Sequence, residues 1–119
     1  MNRHTKGTLG EAAVLFELVK QGYEIFLPYA DWAPFDMVVY KDGILKRVSI
    51  RYTSLTKNKS SWEVGLRNVS RKKEGLLIKK FNNLECDLLA VYVAPEERVV
   101  ILDTKNVKNT TSLSIRKRG

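Results

Sequence analysis

The sequence predicts a mixed α/β fold, with one domain over residues 1–119. An amphipathic helical pattern opens the chain, and several short apolar runs separated by turn residues follow it. No internal repeat, linker or low-complexity segment interrupts this order. A chain of 119 residues can also bury a core of two or three layers.

The first helix is predicted at residues 7–21. Its apolar residues recur with nearly helical spacing and are expected to form the buried stripe: Leu9, Ala12, Ala13, Phe16 and Val19. Thr8 is the predicted N-cap, because Glu11 follows three residues later in a capping-box pattern. Gly22 is a suitable residue for ending the helix.

Three strands are expected next, at residues 23–28, 35–40 and 44–54. The tripeptide at 41–43, Lys-Asp-Gly, is typical of a hairpin turn between the second and third strands. The third strand alternates strictly, so Val48 and Ile50 should lie on one face. The opposite face should carry Arg47, Ser49 and Arg51.

The rest of the chain predicts further strands and one weak helix. Residues 55–60 are expected to form a polar loop, and residues 61–69 a strand. Residues 71–81 are expected to be a basic loop that leads into a short helical segment. Residues 87–94 and 98–104 predict a strand pair around a turn, and residues 112–119 an edge strand with a basic tail.

Charge indicates the class of partner. Lys and Arg number 21 against 13 acidic residues, which gives a net charge of +8 and a pI near 9.7. Such an excess favours a nucleic acid over a generic soluble basic protein, because neutralising each phosphate releases condensed counterions.

Other residue counts exclude several alternatives. No apolar run reaches the roughly 18 residues that a membrane span needs, and the N-terminus is too polar for a signal peptide. The single cysteine, Cys86, and the single histidine, His4, argue against a disulfide and a Cys/His metal site. Neither residue is assigned a role. We therefore expect an intracellular (cytoplasmic) protein without a membrane contact.

A candidate constellation lies around the second and third strands. Asp36 begins the second strand, and its hairpin partner carries Ser49 and Arg51 on one face, with the Ile50 carbonyl between them. Glu11, beside the apolar stripe of the helix, could reach the sheet edge. Carboxylate and carbonyl oxygens suit a hard divalent cation, which can activate water next to a phosphodiester. The pattern thus indicates a metal-dependent nuclease site.

These segments resemble the PD-(D/E)xK nuclease superfamily. The resemblance is carried by Gly10-Glu11, by residues 22–28, by Pro34-Phe35-Asp36 and by residues 47–54, with residues 79–93 and 99–104 in similar order. Each motif is short, but their order and spacing cover most of the chain. The branch it resembles includes bacterial group I intron homing endonucleases, with archaeal Holliday-junction resolvases as more distant relatives.

The resemblance implies a restriction-endonuclease-like mixed sheet flanked by helices. It also implies Mg²⁺- (or Mn²⁺-) dependent cleavage of double-stranded DNA by a homo-oligomer, a dimer or a tetramer. Glu11 and Asp36 fall on the metal-binding acids of the family. Ser49 falls where the family has Asp, Glu or Gln, and Arg51 falls on the family lysine.

Both departures bear on catalysis. Ser49 supplies no carboxylate, although its hydroxyl could orient a metal-bound water. Arg51 keeps the positive charge and can clamp phosphate, but it is a poor proton acceptor. Two hypotheses follow: an endodeoxyribonuclease with a modified site, or a catalytically inactive DNA-binding protein on the same fold. A junction-resolving role also stays open.

Basic residues near the predicted site are candidates for contacts with DNA phosphates. They are Arg47, Lys57, Lys59, Arg67, Arg71, Lys72 and Lys73. The neighbouring Trp62 could be a stacking residue, but the core is the favoured place for it. The basic tail at 116–118 could also touch the DNA backbone.

Overall fold

The computed structural model describes residues 1–72 and 75–118. Over these residues it contains one α-helix and ten β-strands. In chain order they are α1 (Arg3–Lys20), β1 (Glu24–Phe26), β2 (Met37–Lys41), β3 (Ile44–Thr53), β4 (Leu55–Asn58), β5 (Ser61–Gly65), β6 (Asn68–Lys72), β7 (Gly75–Lys79), β8 (Leu88–Val93), β9 (Arg98–Asp103) and β10 (Ser112–Arg116). The mixed α/β class predicted from the sequence is confirmed.

The main sheet has the strand order β1-β2-β3-β8-β9. Its central pair, β3 and β8, is parallel, with Ser49 opposite Leu89 and Arg51 opposite Val91. The other neighbours are antiparallel. The turn between β2 and β3 places Asp42 and Gly43 at φ 52° and 79°, which matches the predicted hairpin. Because β3 is central, side chains on both of its faces meet other layers.

Helix α1 covers one face of the main sheet. Val14 and Leu18 are fully buried against a cluster from β2, β3 and β8 that comprises Met37, Val39, Val48, Leu88 and Ala90. The predicted apolar stripe is wrong: Phe16 is 67% and Val19 53% exposed. The buried face is instead Gly10, Val14 and Leu18, because this row has the helical spacing that meets the sheet.

The predicted N-cap is also wrong. Helix α1 begins at Arg3, and Asn2 is the cap, since its side chain accepts a hydrogen bond of 2.9 Å from the Thr5 N–H. Thr8 therefore lies inside the helix. Asn2 satisfies an unpaired N–H of the first turn, so the helix can start ahead of the apolar pattern.

A second, smaller sheet with the order β10-β5-β4 covers the opposite face. Between the two sheets lies a second core cluster, which includes Trp62, Val64 and Ile115 together with Leu89, Val91 and Val93. Trp62 is thus a core residue. On this face the described residues place the second sheet, and on the other face they place α1.

Two segments predicted as loop or helix are strands. Residues 55–58 form β4, the edge strand of the second sheet. Just before it, at the end of β3, Thr53 Oγ1 donates a hydrogen bond to the Glu63 carbonyl of β5. Residues 75–79 form β7, which pairs antiparallel with β6. Cross-strand pairing satisfies the backbone here, so it overrides the weak helical pattern at 71–81.

The described part of the chain has no helix with the length and apolar character needed to cross a membrane.

Candidate active site

Asp36 is fixed at the start of β2 by two hydrogen bonds across the hairpin. Its backbone N–H donates to the Val48 carbonyl at 2.9 Å. Its carboxylate oxygen Oδ2 accepts from the Ile50 N–H at 2.6 Å. The side chain is nevertheless exposed. The backbone of β3 therefore orients a carboxylate that still faces solvent.

Ser49 and Arg51 come together on the opposite face of β3 from Val48, as their alternation predicts. Ser49 is only 4% exposed, at the inner end of the site. Arg51 Nη1 donates to Ser49 Oγ at 2.9 Å and to the Ile50 carbonyl at 3.0 Å. The guanidinium thus lies against the Ser49 hydroxyl and the Ile50 carbonyl, two oxygens that the sequence analysis assigned to the site.

Glu11 enters the site through a cleft between α1 and the sheet, called here the helix-side cleft. Its lining residues are Arg3, His4, Gly7, Thr8, Glu11, Asp36, Ile50, Arg51 and Arg67. The cleft brings Glu11 and Asp36 to one surface, although they are 25 positions apart in the chain. Arg3 and Arg67 add positive charge to the same surface.

A second cleft, the loop-side cleft, lies on the other side of Asp36 and Arg51. Its lining residues are Trp32, Ala33, Pro34, Asp36, Ser49, Arg51, Lys79, Lys80, Asn82 and Glu85. Asp36 and Arg51 line both clefts. These two residues therefore mark the point where the two clefts meet.

The structure does not gather all of the predicted DNA-contacting residues at this point. Arg67 lines the helix-side cleft. Lys57 lies on β4, where its Nζ donates to Ser114 Oγ at 2.7 Å, and Lys59 lies in the following turn. The side chains of Arg71 and Lys72, and the whole of Lys73, lie outside the described residues.

Arg47 is engaged elsewhere. Its Nε and Nη2 donate to the Asp87 carboxylate at 3.1 Å and 3.2 Å, and its backbone N–H donates to the same group at 2.7 Å. These hydrogen bonds lower the pKa of Asp87 and raise that of Arg47. Arg47 thus ties β3 to the start of β8, and it lines a different groove from the two clefts.

The donor set fits a divalent cation held by two carboxylates. No cluster of three or more His, Cys, Asp or Glu side chains that could hold a metal occurs within residues 1–72 and 75–118. Glu11 and Asp36 share a cleft, however, and Mg²⁺ is commonly bound by one or two carboxylates plus waters and phosphate. The Ile50 carbonyl has a second lone pair besides the one that Arg51 engages. The metal contact predicted for the Ile50 carbonyl stays a prediction.

Several residues that line the two clefts were not predicted from the sequence. Arg3 and His4 sit at the start of a helix that begins earlier than predicted, and Lys79 and Lys80 end a hairpin predicted as helix. Trp32 lies in the segment between β1 and β2. No pattern in the sequence distinguishes Trp32, two residues before Pro34, from a core tryptophan.

Comparison with known proteins shows the family of the chain. The sequence model of the PD-(D/E)XK endonuclease family matches residues 1–118. The chain belongs to the PD-(D/E)XK endonuclease family. It is 30% identical to Protein 5.3 of Escherichia phage T7 over 119 residues, which cover 98% of this chain and 93% of that protein.

A solved structure supports the fold of this PD-(D/E)XK protein. The bacterial homing endonuclease I-Ssp6803I superposes with a TM-score of 0.83 and 16% sequence identity. The superposition covers 99% of this chain and 80% of that one. The predicted family and its homing-endonuclease-like fold are therefore confirmed.

Proposed function

We propose that this protein is an endodeoxyribonuclease that hydrolyses phosphodiester bonds in double-stranded DNA with Mg²⁺ or Mn²⁺. The observation that carries the proposal is the convergence of Glu11, Asp36 and Arg51 in the helix-side cleft. Family membership and the net charge of +8 support a nucleic-acid substrate. The name of the structural neighbour favours the homing type of endonuclease.

The residues of the site take distinct roles in this proposal. Asp36, held by the Ile50 N–H, and Glu11 would hold the divalent cation. When bound, such a cation supplies an activated water and neutralises charge on the phosphate. Arg51 binds the scissile phosphate, because a guanidinium stays protonated and matches phosphate geometry. Ser49 orients Arg51 by accepting its Nη1 hydrogen bond.

The same contacts predict slow chemistry. Ser49 supplies a hydroxyl in place of a carboxylate, and Arg51 cannot accept a proton from the attacking water. The exposed carboxylate of Glu11 and the imidazole of His4 are the other groups lining the helix-side cleft that can accept a proton. We also propose a homo-oligomer, dimer or tetramer, because one chain of this size covers little DNA.

A second candidate is a DNA-binding protein without catalysis. It is favoured by the Arg51 guanidinium, which engages the Ser49 hydroxyl and the Ile50 carbonyl at the position expected for a cation. A fixed cation there would bind a phosphate without activating water. A junction-resolving role for the same site is a variant of the first proposal.

Nicking of supercoiled plasmid with Mg²⁺ or Mn²⁺ tests the enzyme proposal. Asp36→Asn is the informative variant, because the amide oxygen can still accept from the Ile50 N–H while the charge is lost. Asp31→Asn is the matched control, since Asp31 is exposed and lines neither cleft. We expect the wild type and Asp31→Asn to nick DNA and Asp36→Asn to lose activity. No metal-dependent nicking by the wild type at enzyme excess would favour the second candidate.

A further inference from the structure

Trp32 is an unusual lining residue for a polar cleft. Its side chain is 87% exposed, and it stands beside Asp36 and Arg51 in the loop-side cleft. Keeping a large indole in water forgoes the free energy that its burial would contribute. An exposed Trp next to a candidate active site therefore points to a flat ligand that covers it.

The wall of the same cleft carries cations. Lys79 and Lys80 are exposed and line the cleft with Trp32, while Glu85 provides an opposing charge. An aromatic platform combined with cations is the arrangement that binds single-stranded nucleic acid, where bases stack on the ring and lysines track the phosphates.

Base pairing decides what can reach Trp32. In a duplex both faces of each base are covered by its stacked neighbours, so an indole cannot stack on them. Only an unpaired or displaced nucleotide offers a free face. The helix-side cleft has no Trp, Tyr or Phe among its described lining residues and is lined by Arg3 and Arg67, which suits a phosphate backbone.

We propose that the loop-side cleft binds an unpaired nucleotide, whose base stacks on Trp32 and whose phosphate contacts Lys79 or Lys80. The proposal rests on the proposed function, because the two clefts meet at Asp36 and Arg51. It specifies the substrate class: DNA with unpaired nucleotides beside the phosphate to be cleaved, such as a bubble, a flap or a branch.

Binding of labelled DNA in EDTA tests the inference without cleavage. The probes are a duplex and the same duplex with a short central bubble. We expect the wild type to prefer the bubble. Trp32→Ala should weaken bubble binding by roughly five- to hundredfold, as expected for one lost stack, and change duplex binding by less than about twofold. Trp32→Phe should retain most of the preference.

Tyr29→Ala is the matched control. Tyr29 belongs to the same segment and is fully exposed, but it lines neither cleft. Its removal should leave both affinities unchanged. Equal loss in Tyr29→Ala and Trp32→Ala would overturn the inference, because it would indicate a general effect of the segment.

Tryptophan fluorescence gives an independent readout. The chain has two tryptophans, of which Trp62 is buried and Trp32 exposed. Bubble DNA should quench the emission of Trp32 by stacking, and the quench should disappear in Trp32→Ala. Quenching that persists in Trp32→Ala would contradict the contact.

The outcomes separate this inference from the nuclease proposal. Preference for the bubble through Trp32, without nicking under any metal condition, would support the inference and refute the nuclease. Nicking with equal affinity of the wild type for both probes would refute the inference and leave the nuclease standing. Absence of bubble binding at low salt would also refute the inference.

Discussion

Arg51 and Ser49 are joined by a hydrogen bond of 2.9 Å from Nη1 to Oγ, and the same nitrogen also donates to the Ile50 carbonyl. A permanent cation therefore lies against Ser49, at the two positions where the family resemblance predicts an acidic residue and a lysine. Asp36 keeps its position nearby through the Ile50 N–H. The candidate site thus combines an oriented carboxylate, a buried hydroxyl and a guanidinium.

Restoring the family chemistry at these positions should raise activity. We expect Ser49→Glu combined with Arg51→Lys to increase metal-dependent nicking by roughly tenfold or more, because it adds a metal-binding carboxylate and a compact donor. Glu can extend into the loop-side cleft, which Ser49 lines. The rate of plasmid nicking at a series of Mg²⁺ concentrations measures the effect.

The control for that experiment is Ser112→Glu, which adds one acid at an exposed position on β10. It should leave the rate unchanged. An unchanged rate in the double variant as well would mean that positions 49 and 51 do not limit the reaction.

Duplex binding should depend on the cations of the helix-side cleft. Replacing Arg3 and Arg67 with Ala removes two candidate phosphate contacts, so the slope of log affinity against log salt should become shallower by about two. Titrations of duplex DNA between low and moderate salt measure the slope. Lys108→Ala, an exposed cation outside both clefts, should change it far less. Equal slopes for all variants would show that duplex DNA does not contact Arg3 and Arg67.

Stability should fall in mild acid because of Glu96. Burial raises the pKa of Glu96, but hydrogen bonds from the Arg118 N–H and from Arg98 lower it to about 2, against an ordinary value of 4.5. The ionised carboxylate of Glu96 therefore stabilises the fold fully at pH values above its ordinary pKa of 4.5. This stabilisation is lost as the pH falls toward 2.

Urea unfolding between pH 6 and 3, roughly the span in which such a carboxylate titrates, checks this prediction. Glu96→Gln should be less stable than the wild type near neutral pH, and the difference should shrink as the pH falls. Hydrogen bonds from Arg47 also lower the pKa of Asp87. Because Asp87 is present in both proteins, its contribution to the pH dependence of stability has the same direction in both. A difference independent of pH would contradict the assignment to Glu96.

Packing between α1 and β3 should tolerate only a small residue at position 10. A Cβ at Gly10 would lie 3.5 Å from Tyr52 Cβ, an ordinary contact. Gly10→Ala should thus be neutral or stabilising by up to about 1 kcal/mol, through helix propensity. Gly10→Leu should cost roughly 1–3 kcal/mol by overpacking. Gly7→Leu is the control, because nothing lies within 4 Å of its Cβ position.

Thermal unfolding of these variants measures the differences. Equal stability of Gly10→Leu and Gly7→Leu would show that α1 does not pack on Tyr52 as described.

Much of the sheet could be predicted because its signals are local. The positive-φ turn at Asp42 and Gly43 joins two alternating runs, and this fixes which residues of β3 share a face. Asp36, Ser49 and Arg51 were predicted as site residues on that basis. The strand pair β8–β9 was also predicted, since both runs are apolar and bounded by a turn.

The sequence-based predictions were wrong where two structural patterns competed and neither was strong. Helix α1 has apolar residues on more than one side. The periodicity therefore predicted burial of the side with Phe16 and Val19, which is exposed. The side of Val14 and Leu18 is buried because Gly10 permits close approach to Tyr52. Strand β7 was predicted as helix because its partner β6 cannot be recognised from residues 75–79 alone.

The sequence by itself determined the class of fold, the β2–β3 hairpin, the basic charge and the altered residues Ser49 and Arg51. These depend on composition and on neighbours close in the chain. Only the tertiary structure decided that Glu11 and Trp32 reach opposite sides of the Asp36–Arg51 pair, and that Arg47 turns away to Asp87. Those relations depend on how the helix, the loop and the parallel β3–β8 pair pack together, and long-range packing leaves no periodic trace in a single sequence.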